Sequence, residues 1–120
     1  MAFHSNNPSD IKDIKAFEKT AFEGTTLYPD VAENCMSVSF SHIFQGGYSS
    51  GYYSYKWAEV LDADAFAYFQ EQGIFNKEVA TKFKDNVLSK GGSEPPMELY
   101  KRFRGQEPQP EALLKRAGLI

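Results

Sequence analysis

Apolar residues recur at Ile11, Ile14, Phe17 and Ala21, and Ser9 or Asp10 ahead of them can cap a helix. The spacing predicts a helix over residues 10–22, ended by Gly24. From Thr25 to Ser39 no period is sustained, Pro29 and Asn34 interrupt, and a loop is expected to deliver the chain to Phe40. Tyr48 to Phe69 then has helical length and no proline. Its apolar positions fall on more than one face, with Tyr48, Tyr52 and Tyr55 on one and Tyr53, Trp57 and Val60 on another; a helix apolar all round has to be covered on both sides. Gly73 stops that helix. Asn76 can cap the next, in which Val79, Phe83 and Val87 recur every four residues as far as Gly91-Gly92. Ser93 reads as a cap ahead of Pro95-Pro96, and Met97, Leu99, Tyr100 and Phe103 supply a third short helix closed by Gly105. A last amphipathic turn covers 112–117 and meets Gly118. No two runs alternate with period two, so the fold class is all-α, an irregular helical bundle with strands absent or minor, and residues 1–120 read as a single helical segment.

Composition narrows the class further. With 42% hydrophobic and 24% charged residues the 120-residue chain suits one folded segment with a modest core. A net charge of -3 argues against nucleic acid as a partner, because phosphate affinity comes from clustered Lys and Arg. The basic groups Lys101, Arg102, Arg104 and Lys115, Arg116 sit at predicted helix ends, where cations complement the dipole. Cys35 is the single cysteine and has no intrachain partner, which fits a reducing compartment and an inert thiol. No stretch approaches the roughly 18 apolar residues of a membrane span, and residues 1–10 lack the layout of a signal peptide. A cytoplasmic location and no membrane partner are expected, with a periplasmic parent as the alternative.

Chemistry concentrates in residues 40–57, where His42, three glycines, four tyrosines and Trp57 share eighteen positions. Glycines let backbone approach a ligand, and phenols are neutral donors near neutral pH. On a helix Tyr48, Tyr52 and Tyr55 fall at i, i+4 and i+7, one stripe able to face one cavity, and positioned neutral hydroxyls suit a carbonyl oxygen that gains negative charge. Taken alone, such a stripe is more often packing than catalysis. His42 alone is weaker, since with only His4 as a second imidazole it makes no metal set.

The ordered pattern His42-x-x-x-Gly46-Gly47-Tyr48-x-x-x-Tyr52-Tyr53-x-Tyr55-x-Trp57 closely resembles the thimet-oligopeptidase family of zinc peptidases, which includes oligopeptidase A and the bacterial peptidyl-dipeptidases. The likeness continues through residues 59–64, Phe69, Gly73, Phe83, residues 88–93, Phe103-Arg104-Gly105 and Gly118-Leu119. The resemblance implies the C-terminal part of a larger, mostly helical peptidase catalytic domain that cuts short peptides in a deep channel. In that family a His-Glu-x-x-His helix and a downstream glutamate bind zinc and activate water. Neither that motif nor its spacing occurs here, so zinc is expected in the full-length enzyme, none on this chain, and no metal ligand is assigned.

By the same resemblance, residues 40–57 form a substrate-cleft glycine loop and tyrosine helix. Tyr55 matches the phenol that supports the tetrahedral intermediate, and Tyr48 matches another near the scissile carbonyl. His42 matches a histidine that holds substrate, and Tyr52 a tyrosine of the substrate channel. Gly46, Gly47 and Gly51 match a mobile loop that orders around peptides. The chain alone is then expected to be inactive and to pair with the missing upstream part of the enzyme. Self-association is expected through the doubly apolar helix. A non-enzymatic helical peptide-binding module is the alternative. The choice between cutting inside peptides and releasing dipeptides depends on residues outside this stretch.

Overall fold

A computed structural model describes residues 1–120 as helices and turns with no strand, so the chain is all-α as the periodicity predicts. No helix is long and apolar enough to cross a membrane. Two units divide the chain, residues 1–53 and 54–120.

The first unit contains α1 (Ala2–Ser5), α2 (Ile14–Ala21) and α3 (Met36–Ser39), with 3-10 turns at Pro8–Asp10 and Ser41–Ile43. α2 starts later than its apolar spacing predicts. Pro8 fixes a separate 3-10 turn capped by the Asn7 side chain, which accepts from the Ser9 N–H at 3.1 Å. Asp13, rather than Ser9 or Asp10, then caps α2, its carboxylate accepting from the Ala16 N–H at 3.0 Å. The expected loop over 25–39 ends in the short helix α3 and is fastened from α2. The Lys15 ammonium donates to the carbonyls of Val31, Ala32 and Asn34 at 3.0, 2.6 and 2.5 Å and lies 3.4 Å from Asp30. One turn on, the buried Glu18 carboxylate accepts from the Met36 and Ser37 N–H groups at 3.0 and 2.6 Å, satisfying two orphan donors at the start of α3. Ser37, through its side chain and its N–H, the Met36 N–H and the Cys35 thiol together hold the Glu18 carboxyl below the usual 4.5.

The second unit contains α4 (Ser54–Gln72), α5 (Lys77–Phe83), α6 (Pro96–Arg104) and α7 (Glu111–Arg116). Gly73, at φ +98°, ends α4, and Asn76 caps α5 as its position predicts, its amide oxygen accepting from the Glu78 and Val79 N–H groups. α5 runs on into a π-helical turn, Lys84–Leu88, with the Ser89 N–H bonded to the Lys84 carbonyl at 2.8 Å. α6 needs no serine cap: it opens on Pro95-Pro96, and Ser93 stays outside it. Gly105 closes α6 in the left-handed region at φ +85°.

Phe103 is the centre of the core, 1% exposed, with the rings of Phe83, Tyr68 and Tyr100 at 5.0, 5.5 and 6.1 Å in edge-to-face arrangements. Ala65 and Val79 complete the buried cluster, and Leu61, Phe69 and Val87 pack against it. α4 is not covered on both sides. Leu61, Tyr68 and Phe69 face the core, while Trp57 and Phe66 remain 45% and 49% exposed.

Candidate active site

Two consecutive turns, not a helix, shape the glycine and tyrosine tract. In the first the Tyr48 N–H bonds the Gln45 carbonyl at 3.3 Å, and the central pair Gly46 and Gly47 takes φ values of +69° and +76°. Two successive left-handed positions are open to glycine at little steric cost. In the second the Gly51 N–H bonds the Tyr48 carbonyl at 2.8 Å, with Ser50 itself left-handed at φ +58°. α4 therefore begins at Ser54, six residues after the start its length predicts. Tyr48 and Tyr52 precede it, so the three phenols do not form one helical stripe.

The turns nevertheless bring most of the predicted residues together. His42, on the 3-10 turn Ser41–Ile43, has the Tyr48 ring at 5.2 Å and the Tyr52 ring at 5.7 Å. Tyr48 and Tyr52 lie 5.8 Å apart, nearly perpendicular. Phe40, which the sequence marks only as the start of the tract, is the fourth member, edge-on to Tyr52 at 4.7 Å and 5.7 Å from His42. Gly46 lies directly beneath this cluster: a Cβ there would stand 3.3 Å from the Tyr48 ring and 3.8 Å from His42. Its smallness is thus required twice, for its φ and for the approach of the two rings. Gly51 differs, since its φ is not positive and a Cβ would meet only ordinary contacts.

A cavity of about 270 Å³ opens beside the cluster, lined by His4, Phe40, Ile43, Tyr48, Tyr52 and Tyr53 among others. His4 is the participant that sequence spacing could not find, 38 positions before His42. Its ring meets Phe44 edge-on at 5.1 Å. Tyr55 belongs to the second unit, as the second residue of α4, with half of its surface exposed.

Residues 1–119 match the sequence profile of peptidase family M3. Oligopeptidase A of Escherichia coli is 63% identical over 81 residues, covering 68% of this chain and 12% of that protein. A probable cytosolic oligopeptidase A of Arabidopsis thaliana is 47% identical over 117 residues, 94% of this chain and 17% of the relative. The dipeptidyl carboxypeptidase of Escherichia coli is 36% identical over 110 residues, 91% and 16% of the two chains. The chain thus spans less than a fifth of the length of these relatives, and with a match that takes in the glycine turns, the tyrosines and the aromatic core alike, it belongs to peptidase family M3.

Proposed function

We propose that this chain is the C-terminal portion of an M3 oligopeptidase, forming one wall of the cleft that holds short peptides during hydrolysis. The observation that carries the reading is the pair of left-handed glycines folding Tyr48 against His42 and Tyr52, which sets the phenols of Tyr48 and Tyr52 beside one cavity. The backbone of Gly46 and Gly47 can approach an extended peptide closely, with Gly51 adding to the mobility of the loop. His42 and Tyr52 hold the peptide, and Tyr48 lies near the scissile carbonyl. Tyr55 donates a hydrogen bond from its hydroxyl to the oxygen that gains charge as the tetrahedral intermediate forms, and keeps its proton as a neutral donor.

M3 peptidases are zinc-dependent in general, and the residues of this chain do not fit a zinc site: no three His, Cys, Asp or Glu side chains come together. Activation of water is therefore assigned to the rest of the enzyme, and the chain alone is read as inactive. Surface area supports the need for a cover. Globular bodies of about 6 and about 7.5 kDa, the sizes of the two units, present about 7,900 Å² together even without touching. The chain presents 9062 Å². The excess, about 1,200 Å² by that scaling, is more than the roughly 800 Å² that a standard interface takes from one partner. An apolar groove of about 520 Å³ in the second unit, lined by Trp57, Leu61, Phe66, Phe69, Phe83 and Met97 among others, is the place where upstream helices of the enzyme would seat. In their absence a second copy would cover it. A cytosolic parent completes the reading, in line with the location in the name of one plant relative.

Tyr55→Phe in the full-length enzyme tests it. Loss of one hydroxyl should lower turnover by about a hundredfold with zinc content unchanged. Unaltered turnover would remove Tyr55 from the mechanism.

A further inference from the structure

α4 carries apolar residues around its whole circumference, so hydrophobic burial alone does not decide which side turns inward. Leu61, Tyr68 and Phe69 pack on the core while Trp57 and Phe66, equally apolar, stay exposed. Apolar attraction is non-directional and would be served nearly as well by a rotated helix. A buried charge is different, because it must meet its partners or leave a large desolvation penalty.

Asp64 is the one buried charged residue of the second unit, 4% exposed. Its Oδ2 accepts the Tyr100 hydroxyl of α6 at 2.5 Å and lies 3.4 Å from Arg104 Nε. The same guanidinium stands 4.8 Å over the Tyr68 ring and donates to Glu71 at 3.1 Å. Asp64, Tyr68 and Glu71 are spaced i, i+4, i+7, and Tyr100 and Arg104 are spaced i, i+4, so one polar seam joins a single face of α4 to a single face of α6. Burial and the neighbouring carboxylate push the Tyr100 hydroxyl far above its ordinary value of 10, so it stays a donor throughout the physiological range.

From this seam we infer that Asp64 and Tyr100 are positioning residues for Tyr55: their hydrogen bond selects the face α4 turns to the core and thereby aims the Tyr55 hydroxyl. The inference rests on the role proposed for Tyr55. Nine residues separate Tyr55 from Asp64, about 13.5 Å along the axis and about half a turn around it, so the seam holds α4 from the side opposite Tyr55. With the phenol oxygen about 8 Å from the helix axis, a rotation of about 10° moves it by about 1.4 Å. Displacements of that size can cost a hundredfold in rate.

A double-mutant cycle in the full-length enzyme tests this, with kcat, KM and zinc content measured for each variant. Tyr100→Phe keeps the ring and removes the seam's hydroxyl; it should lower kcat about tenfold, with KM within about twofold and zinc retained. Against a Tyr55→Phe background the same change should have no further effect on kcat, because there is no hydroxyl left to aim. Asp64→Asn, which weakens the bond from the α4 side, should repeat the pattern with a smaller loss and carries the test if Tyr100→Phe does not fold. An unchanged kcat in the folded seam variants, or an equal loss in both backgrounds, overturns the inference. If Tyr55→Phe itself leaves kcat unchanged, the proposed role of Tyr55 has failed instead.

Discussion

All six buried hydrophobic residues, Ala63, Ala65, Val79, Leu99, Tyr100 and Phe103, belong to the second unit, while the one buried residue of the first is a carboxylate, Glu18. The second unit is held by interlocking rings around Phe103, an arrangement that resists deformation because close-packed side chains have few alternative fits. The first is held by directional polar fastenings, Lys15 on three carbonyls and Glu18 on two N–H groups, and by glycines in left-handed turns. The difference matches the division proposed for the cleft. In that proposal Tyr55, whose position would have to be accurate, stands in the first turn of the long helix of the packed unit; His42, Tyr48 and Tyr52, which would have to accommodate varied peptides, sit where few buried contacts oppose movement.

The contrast can be broken most severely at its hub. Phe103→Ala removes the most deeply buried side chain and should cost about 3–5 kcal/mol, abolishing cooperative unfolding of the second unit. Denaturant titration monitored through Trp57 would read this directly, and a shift below about 1 kcal/mol would mean that the rings around Phe103 close over the gap. Gly46→Ala should act only in the first unit. It places a Cβ against Tyr48 and forces a left-handed alanine, about 1–2 kcal/mol of strain, so the His42 and Tyr48 rings should separate while helix content is preserved. Loss of the mutual ring-current shifts of His42 and Tyr48 in NMR spectra checks it.

A smaller effect, in the polar fastening of the first unit, depends on pH. The Glu18 carboxyl is held below 4.5, so its contribution is complete above that value and is lost as pH falls through its lower folded pKa. Glu18→Gln should therefore cost about 1 kcal/mol near neutral pH, the scale of a lost helix cap. The gap between the two proteins should close on acidification below 4.5, as native Glu18 itself becomes protonated. Amide exchange at Met36 and Ser37 across that range is the measurement. A gap independent of pH would show that the carboxylate charge is not what fastens α3.

The two halves were also unequally legible in the sequence. In the second, Asn76 signalled the cap of α5, Gly73 and Gly105 the helix ends, and the spacing of Val79, Phe83 and Val87 the inner face, because each signal is local. The first hid its organisation in long-range polar pairs. Lys15 and Glu18 look like an ordinary solvated helix face, and their partners lie 15 to 19 positions further on. The tyrosines misled through coincidence, since i, i+4, i+7 spacing fits a helix, yet two glycines at positive φ and a left-handed Ser50 commit the backbone to turns until Ser54. Residue types and order thus mark the tract as one site-like stretch, but not the turns that bring His42, Tyr48 and Tyr52 together. Asp64, a lone aspartate in a long helix, carries no local sign that it will be buried.

In the proposed division of labour this segment shapes and stabilises while the hydrolytic centre lies elsewhere in the enzyme. The direct measurement is hydrolysis of an oligopeptide by the purified 120-residue chain supplied with zinc, beside the full-length enzyme under the same conditions. No cleavage above background by the chain, with rapid cleavage by the full enzyme, is the predicted result. Zinc-dependent turnover by the chain alone, abolished by a chelator, would put a hydrolytic centre within these 120 residues and overturn the proposed division.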